Sequence, residues 1–128
     1  DYVSFEVAKL LKEKDFSVDC MHRWDSSFNG LEFNISDIEN DWNCNYLSKP
    51  YFTSAPSHAL SIKWIRENFK ISIEVNSSLD SLIKGIPEWH YSIWNYGKKR
   101  EYKGNSEFTS PEEATEAALL YTLQNLIK

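Results

Sequence analysis

Cysteine is scarce in this chain: Cys20 and Cys44 are the only two among 128 residues. A secreted domain of this size held by disulfides would carry more, so a cystine-stapled scaffold is disfavoured. One bridge between the pair stays open, and two free thiols in a reducing cytoplasm is the preferred reading. Glycine is equally sparse, at Gly30, Gly85, Gly97 and Gly104, too few and too scattered to cradle phosphates with backbone N–H groups. The sequence holds no Gly-x-Ser-x-Gly, no phosphate-binding glycine loop and no His-Glu-x-x-His, so no recurrent nucleophile or zinc-hydrolase signature is present. Long apolar runs are missing too, and none could cross a bilayer. The opening Asp1-Tyr2-Val3-Ser4 has no basic stretch leading into an apolar one, so no signal peptide is expected. Excess positive charge is also lacking. The net charge of −5 disfavours a nucleic-acid partner, which needs clustered lysine and arginine, yet it is compatible with a basic surface on another protein.

What is present describes a globular chain. Hydrophobic residues make up 41% and charged residues 26%, which argues against wholesale disorder. The length predicts one compact domain spanning 1–128, able to bury roughly two thirds of its unfolded surface. Five Trp, seven Tyr and seven Phe supply large rings for a core, and any left outside would mark a binding face.

Periodicity places the elements. Val3, Val7, Leu10 and Leu11 share a helical face, predicting a helix over 4–14 with Ser4 as its N-cap. Alternation predicts strands over 18–24 and 31–35, separated by the turn signal Asn29-Gly30. Residues 36–49 are polar and read as a long loop. A second helix is expected over 55–69, capped by Ser54 with Pro56 in its first turn. Ile71, Ile73 and Val75 alternate with polar residues as a strand. Residues 77–87 read as a connection. Trp89, Tyr91 and Ile93 then share one face of a strand over 88–96, with a short return over 100–103. Ser110-Pro111-Glu112-Glu113 announces a last helix running to about 127. These elements predict an α+β fold: a small, mostly antiparallel sheet of three to five strands packed against three helices, in the order α-ββ-α-ββ-α.

Five groups of residues come into consideration. Cys20, His22 and Cys44, with His58, supply ligand types that zinc accepts, but zinc sites usually show two tight pairs where this chain has one. A buried thiol and a strand histidine explain the same residues, so no metal or cofactor is expected. A Cys–His nucleophile built from Cys20 or Cys44 with His58 or His90 is conceivable, and spacing alone does not decide it. Asp37, Glu39 and Asp41 lack the turn glycine and closing carboxylate of a calcium loop. The basic run Lys98-Lys99-Arg100, with Tyr102 and Lys103, mixes cations and rings as single-strand binders do. Lysines at a hairpin also guard an edge strand, and that account is preferred. The aromatic loop is the candidate binding site: Trp42, Asn43, Asn45, Tyr46 and Tyr51 set rings beside amides, as a small-ligand or partner site would. The competing account has these rings completing the core.

Three segments carry a resemblance. They are Ser4 to Leu11; Asp41-Trp42-Asn43-Cys44-Asn45 with Tyr51, Ser54-Ala55-Pro56 and Lys63-Trp64-Ile65-Arg66-Glu67; and Ser110 to Leu119. Together they resemble a family of small uncharacterised proteins from phages, prophages and mobile elements of gut Bacteroidetes, over Ser4 to Leu126 and least over 77–88. The resemblance implies an accessory protein acting in the cytoplasm of a bacterial host. It brings no catalytic or binding residue with it. The expected function is therefore a non-catalytic interaction domain whose partner is another protein. The alternative is a small-ligand-binding domain or enzyme using the aromatic 42–52 loop and a Cys or His residue.

Overall fold

The computed structural model describes residues 2–16, 22–25, 30–33, 52–54, 56–104 and 107–127. It is an α+β structure, and the chain groups into two compact units, Asp1–Ser57 with Lys128 and His58–Ile127.

In the first unit, α1 spans Phe5–Glu13. Ser4 Oγ accepts the Val7 N–H at 3.2 Å, the N-cap that the sequence predicts, which stabilises such a helix by about 1 kcal/mol. The far end closes without glycine. Asp15 takes φ 65°, and the N–H groups of Asp15 and Phe16 reach the carbonyls of Lys12 and Leu11 at 3.1 and 3.0 Å, the paired bonds of a Schellman motif. Val3, Val7, Leu11 and Phe16 are buried. Strands β1 (His22–Asp25), β2 (Gly30–Phe33) and β3 (Phe52–Ser54) form an antiparallel sheet in the order β2-β1-β3. The first two match the expected strands within a few residues. The third was not expected. Ser54, predicted to cap a helix, is instead paired with Arg23 of β1. The Pro56 carbonyl accepts the Val3 N–H at 3.0 Å, and Ser57 bridges Tyr2. Extended pairing thus consumes the segment that local capping chemistry had assigned to the helix.

The second unit is built on α2 (His58–Phe69), β4 (Ile71–Ser77), α3 (Leu79–Lys84), β5 (Trp89–Asn95), β6 (Arg100–Lys103) and α4 (Pro111–Tyr121). One residue joins α2 to β4. Lys70 takes φ 57° and donates its N–H to the Arg66 carbonyl at 3.2 Å, ending the helix at a cost of about 1–2 kcal/mol for a left-handed non-glycine residue. The sheet order is β4-β5-β6, antiparallel throughout, with Ile73 opposite Ile93 and Ile93 opposite Tyr102. These side chains share one face because side chains alternate along a strand. Helix α4 packs on β4 and β5, and α2 on β4 and α4. Ile71, Ile73, Ile93, Ile65, Ala114, Ala118 and Leu119 are buried. The small alanines let α4 approach the sheet closely, as their spacing suggests. The opposite sheet face carries Ser72, Glu74, Ser92, Trp94, Glu101 and Lys103.

The last helix starts as the sequence predicts. Ser110 Oγ accepts the Glu113 N–H at 3.2 Å, while the Glu113 carboxylate accepts from Thr109 N–H and Oγ1 at 3.2 and 2.9 Å. It does not stay α-helical to 127. Thr122–Leu126 widen into a π-helical turn, where Thr122 Oγ1 donates to the Ala118 carbonyl at 2.7 Å. A buried hydroxyl bonding back to the preceding turn competes with the regular backbone ladder.

Candidate functional site

The segment predicted as a plain connection, 77–87, holds the most unusual surface among the described residues. Ser78 Oγ accepts the Ser81 N–H at 3.1 Å and opens α3. Gly85, at φ 71°, closes it in the left-handed conformation that glycine adopts without steric cost. The helix is inverted. Leu79, Leu82 and Ile83 fall at i, i+3 and i+4 and so form one stripe, yet each is more than 70% exposed, and Ile86 just beyond is 54% exposed. Ser81 takes the inner position, 5% exposed. Its hydroxyl donates to the Ile86 carbonyl at 2.5 Å and accepts the Glu88 N–H at 2.9 Å. A single buried serine thus ties the helix to the chain that enters β5, and the aliphatic stripe is turned outward.

Beside the stripe lies an open groove of about 340 Å³, walled by Ser81, Leu82, Ile86, Pro87 and Trp89. Its floor is fixed. Trp89 and Phe108 exchange backbone hydrogen bonds at 2.8 Å each way, so the start of β5 is pinned to the segment leading into α4. The charged groups lie on the rim. Lys84 Nζ is 3.1 Å from Asp80 Oδ2 and 3.8 Å from Glu88 Oε2. The Asp80 hydrogen bond and charge, then the charges of Glu88 and Glu107, raise the Lys84 pKa above its ordinary value, keeping the ammonium protonated. The result is an apolar stripe and groove with a mixed, locally neutralised border. Such a surface can bury apolar area against another surface. It presents no convergent nucleophile and base.

The residues singled out by sequence reasoning are distributed differently. Trp42, Asn43, Asn45, Tyr46 and Tyr51, with Cys20, Cys44 and the acidic Asp37, Glu39 and Asp41, lie outside the described residues, and His22 is placed by its backbone in β1. His58 is the first residue of α2, and its Nε2 lies 2.8 Å from Glu116 Oε2 on α4. That contact ties one helix to the other, and the cysteines considered as partners of His58 lie outside the described residues. His90 stands on β5 opposite Asn76. Among the described residues no group of three His, Cys, Asp or Glu side chains could hold a metal ion. No helix among them is long and apolar enough to cross a membrane. The basic run forms the β5–β6 turn and the start of β6, which is the edge strand of this sheet among the described residues. Sequence reasoning missed α3, although Ser78, Asp80, Lys84 and Gly85 spell out its cap, dipole and stop. No protein-family model, no curated protein and no solved structure matches the chain.

Proposed function

We propose that this chain is a non-catalytic protein-interaction domain, a phage-type accessory protein that engages another protein in the host cytoplasm through α3 and the adjoining groove. The supporting observation is the outward stripe of Leu79, Leu82, Ile83 and Ile86. Scattered surface aliphatics are normal, but four contiguous ones beside an apolar groove mark a site where area is buried against a partner. Burying apolar area stabilises association by roughly 25 cal/mol per Å² before the costs of docking. The acidic whole, at −5, favours a partner whose surface around its apolar contact is basic.

The test compares the native chain with a Leu82→Glu/Ile83→Glu variant, both immobilised and exposed to a bacterial lysate, with bound proteins identified by mass spectrometry. A protein retained by the native chain and lost by the variant, at unchanged circular dichroism, supports the reading. Identical retention by both would sink it. A concentration-dependent dimer of the native chain that the variant abolishes would instead assign the stripe to self-association.

A further inference from the structure

We propose that the β5–β6 hairpin tip is a second binding site, one that takes a nucleobase with its phosphate from single-stranded nucleic acid. It lies at the opposite end of β5 from α3, six residues away and so roughly 20 Å distant along the strand, and it does not depend on the protein-interaction reading.

The argument starts from two rings. Trp94 is 36% and Tyr96 is 61% exposed, at the end of a strand whose inward rings, Tyr91 and Trp89, are both half-buried. Trp94 stands on the sheet face away from the helices, between Ser72 and Glu101 on the neighbouring strands. Around these rings is a cleft of about 300 Å³ bounded by Trp94, Asn95, Tyr96, Lys99, Arg100 and Glu101. That is the lower end of the range for small-ligand pockets, enough for one base-sized ring. The turn is built in advance. Asn95 is 6% exposed, and its Oδ1 accepts the Lys98 N–H at 3.2 Å. The Tyr96 N–H donates to the Lys70 carbonyl at 3.0 Å, which brings the α2–β4 link to the same end of the sheet.

Charge supplies the second half. Between Trp94 and Lys103 there are four cations, Lys98, Lys99, Arg100 and Lys103, against the single acid Glu101, in a chain that is otherwise strongly acidic. Guarding the β6 edge explains lysines on β6. It does not explain an exposed Tyr96, nor Lys99 at φ 54°, where asparagine or glycine would adopt the turn at lower cost. A carboxylate ligand would answer the cations and leave the rings unused. A base stacked on a ring with its phosphate beside Lys99 answers both, while the Arg100 guanidinium lies over the Tyr102 ring, 5.6 Å from its centroid. The net negative charge of the whole chain opposes the encounter, so binding is salt-sensitive and seen best at low ionic strength.

The experiment measures fluorescence anisotropy of a short labelled oligothymidylate with the full chain, at several salt concentrations, competed by thymidine monophosphate or by inorganic polyphosphate. The expected result is saturable binding, weakened about tenfold by Tyr96→Ser through loss of one stacked base. Lys99→Asn, which keeps the turn conformation, should lower the slope of log affinity against log salt by about 0.7, the value for one phosphate contact. Circular dichroism should match the native chain in both variants, and Lys84→Gln on α3 should bind as the native chain does. Absence of binding at low salt overturns the proposal. So does binding that Tyr96→Ser leaves unchanged and polyphosphate displaces fully, which reports charge alone. A mononucleotide as tight as the oligomer overturns the assignment to a strand.

Discussion

The imidazole of His58, at the first position of α2, lies 2.8 Å from the Glu116 carboxylate on α4, and this pair ties together the two helices that cover the sheet of the second unit. Both side chains are partly buried, a setting in which a hydrogen bond gains more than at an open surface. A double-mutant cycle with His58→Ala and Glu116→Ala, followed by urea denaturation, should return a coupling energy of about 1 kcal/mol. Additive single effects would show that the pair is incidental.

Gly104 approaches the Tyr91 ring so closely that an added Cβ would lie 2.5 Å from Tyr91 Cε2. Its N–H also donates to the Tyr91 carbonyl at 3.1 Å, so the backbone has little room to withdraw. Gly104→Ala should destabilise the fold by about 1–3 kcal/mol, the range for overpacking. The measurement is the shift in the urea midpoint, with the slope unchanged.

Tyr91 has its hydroxyl pKa raised, by burial first and then by Tyr121. The sign follows from linkage. In the unfolded chain the phenol ionises at its ordinary value near 10, while the folded protein still holds the proton. Between those two points the native state binds more protons than the unfolded one, so stability is complete below the unfolded pKa and falls as pH rises through the folded one. Tyr91→Phe keeps the ring against Gly104 and removes the ionisable group. Chemical denaturation at rising alkaline pH should therefore show a shallower loss for the variant. An identical pH dependence would assign the alkaline loss elsewhere.

Gly85 occupies the left-handed conformation that stops α3, and no atom of the described residues lies within 4 Å of an added Cβ there. The cost of Gly85→Ala is therefore conformational alone, about 1 kcal/mol. Ser81→Ala should act locally, because it removes the bonds to both the Ile86 carbonyl and the Glu88 N–H, part-buried hydrogen bonds worth about 0.5–1.5 kcal/mol each. Hydrogen exchange should show faster opening over Leu79–Glu88 in Ser81→Ala, with the rates of β5 unchanged.

Most of the second unit was legible in the residues. The alternation Ile71, Ile73, Val75 and Trp89, Tyr91, Ile93 predicted two strands and the faces they share, because one face had to be apolar to meet the helices. Ser110-Pro111 with Glu113 predicted the start of α4, since capping is local chemistry. Other features were not legible. Ser54 and Pro56 carry good capping chemistry, yet their segment pairs with β1 and with the N-terminus, contacts distant in sequence. The widening of Thr122–Leu126 into a π-helical turn has no counterpart in the apolar spacing that predicted the helix. Helix α3 escaped notice because its aliphatics follow helical spacing while facing outward, the reverse of the amphipathic pattern that periodicity is read against.

By itself, the sequence determined the α+β class, the caps of α1 and α4 and the alternating faces of β4 and β5, because each of these rests on neighbours a few residues apart. Only the tertiary structure decided that the 79–86 aliphatics point outward and that Trp94 and Tyr96 share a cleft with Lys99 and Arg100. Which face of an element is covered depends on what else packs there, and that is a property of the assembled chain.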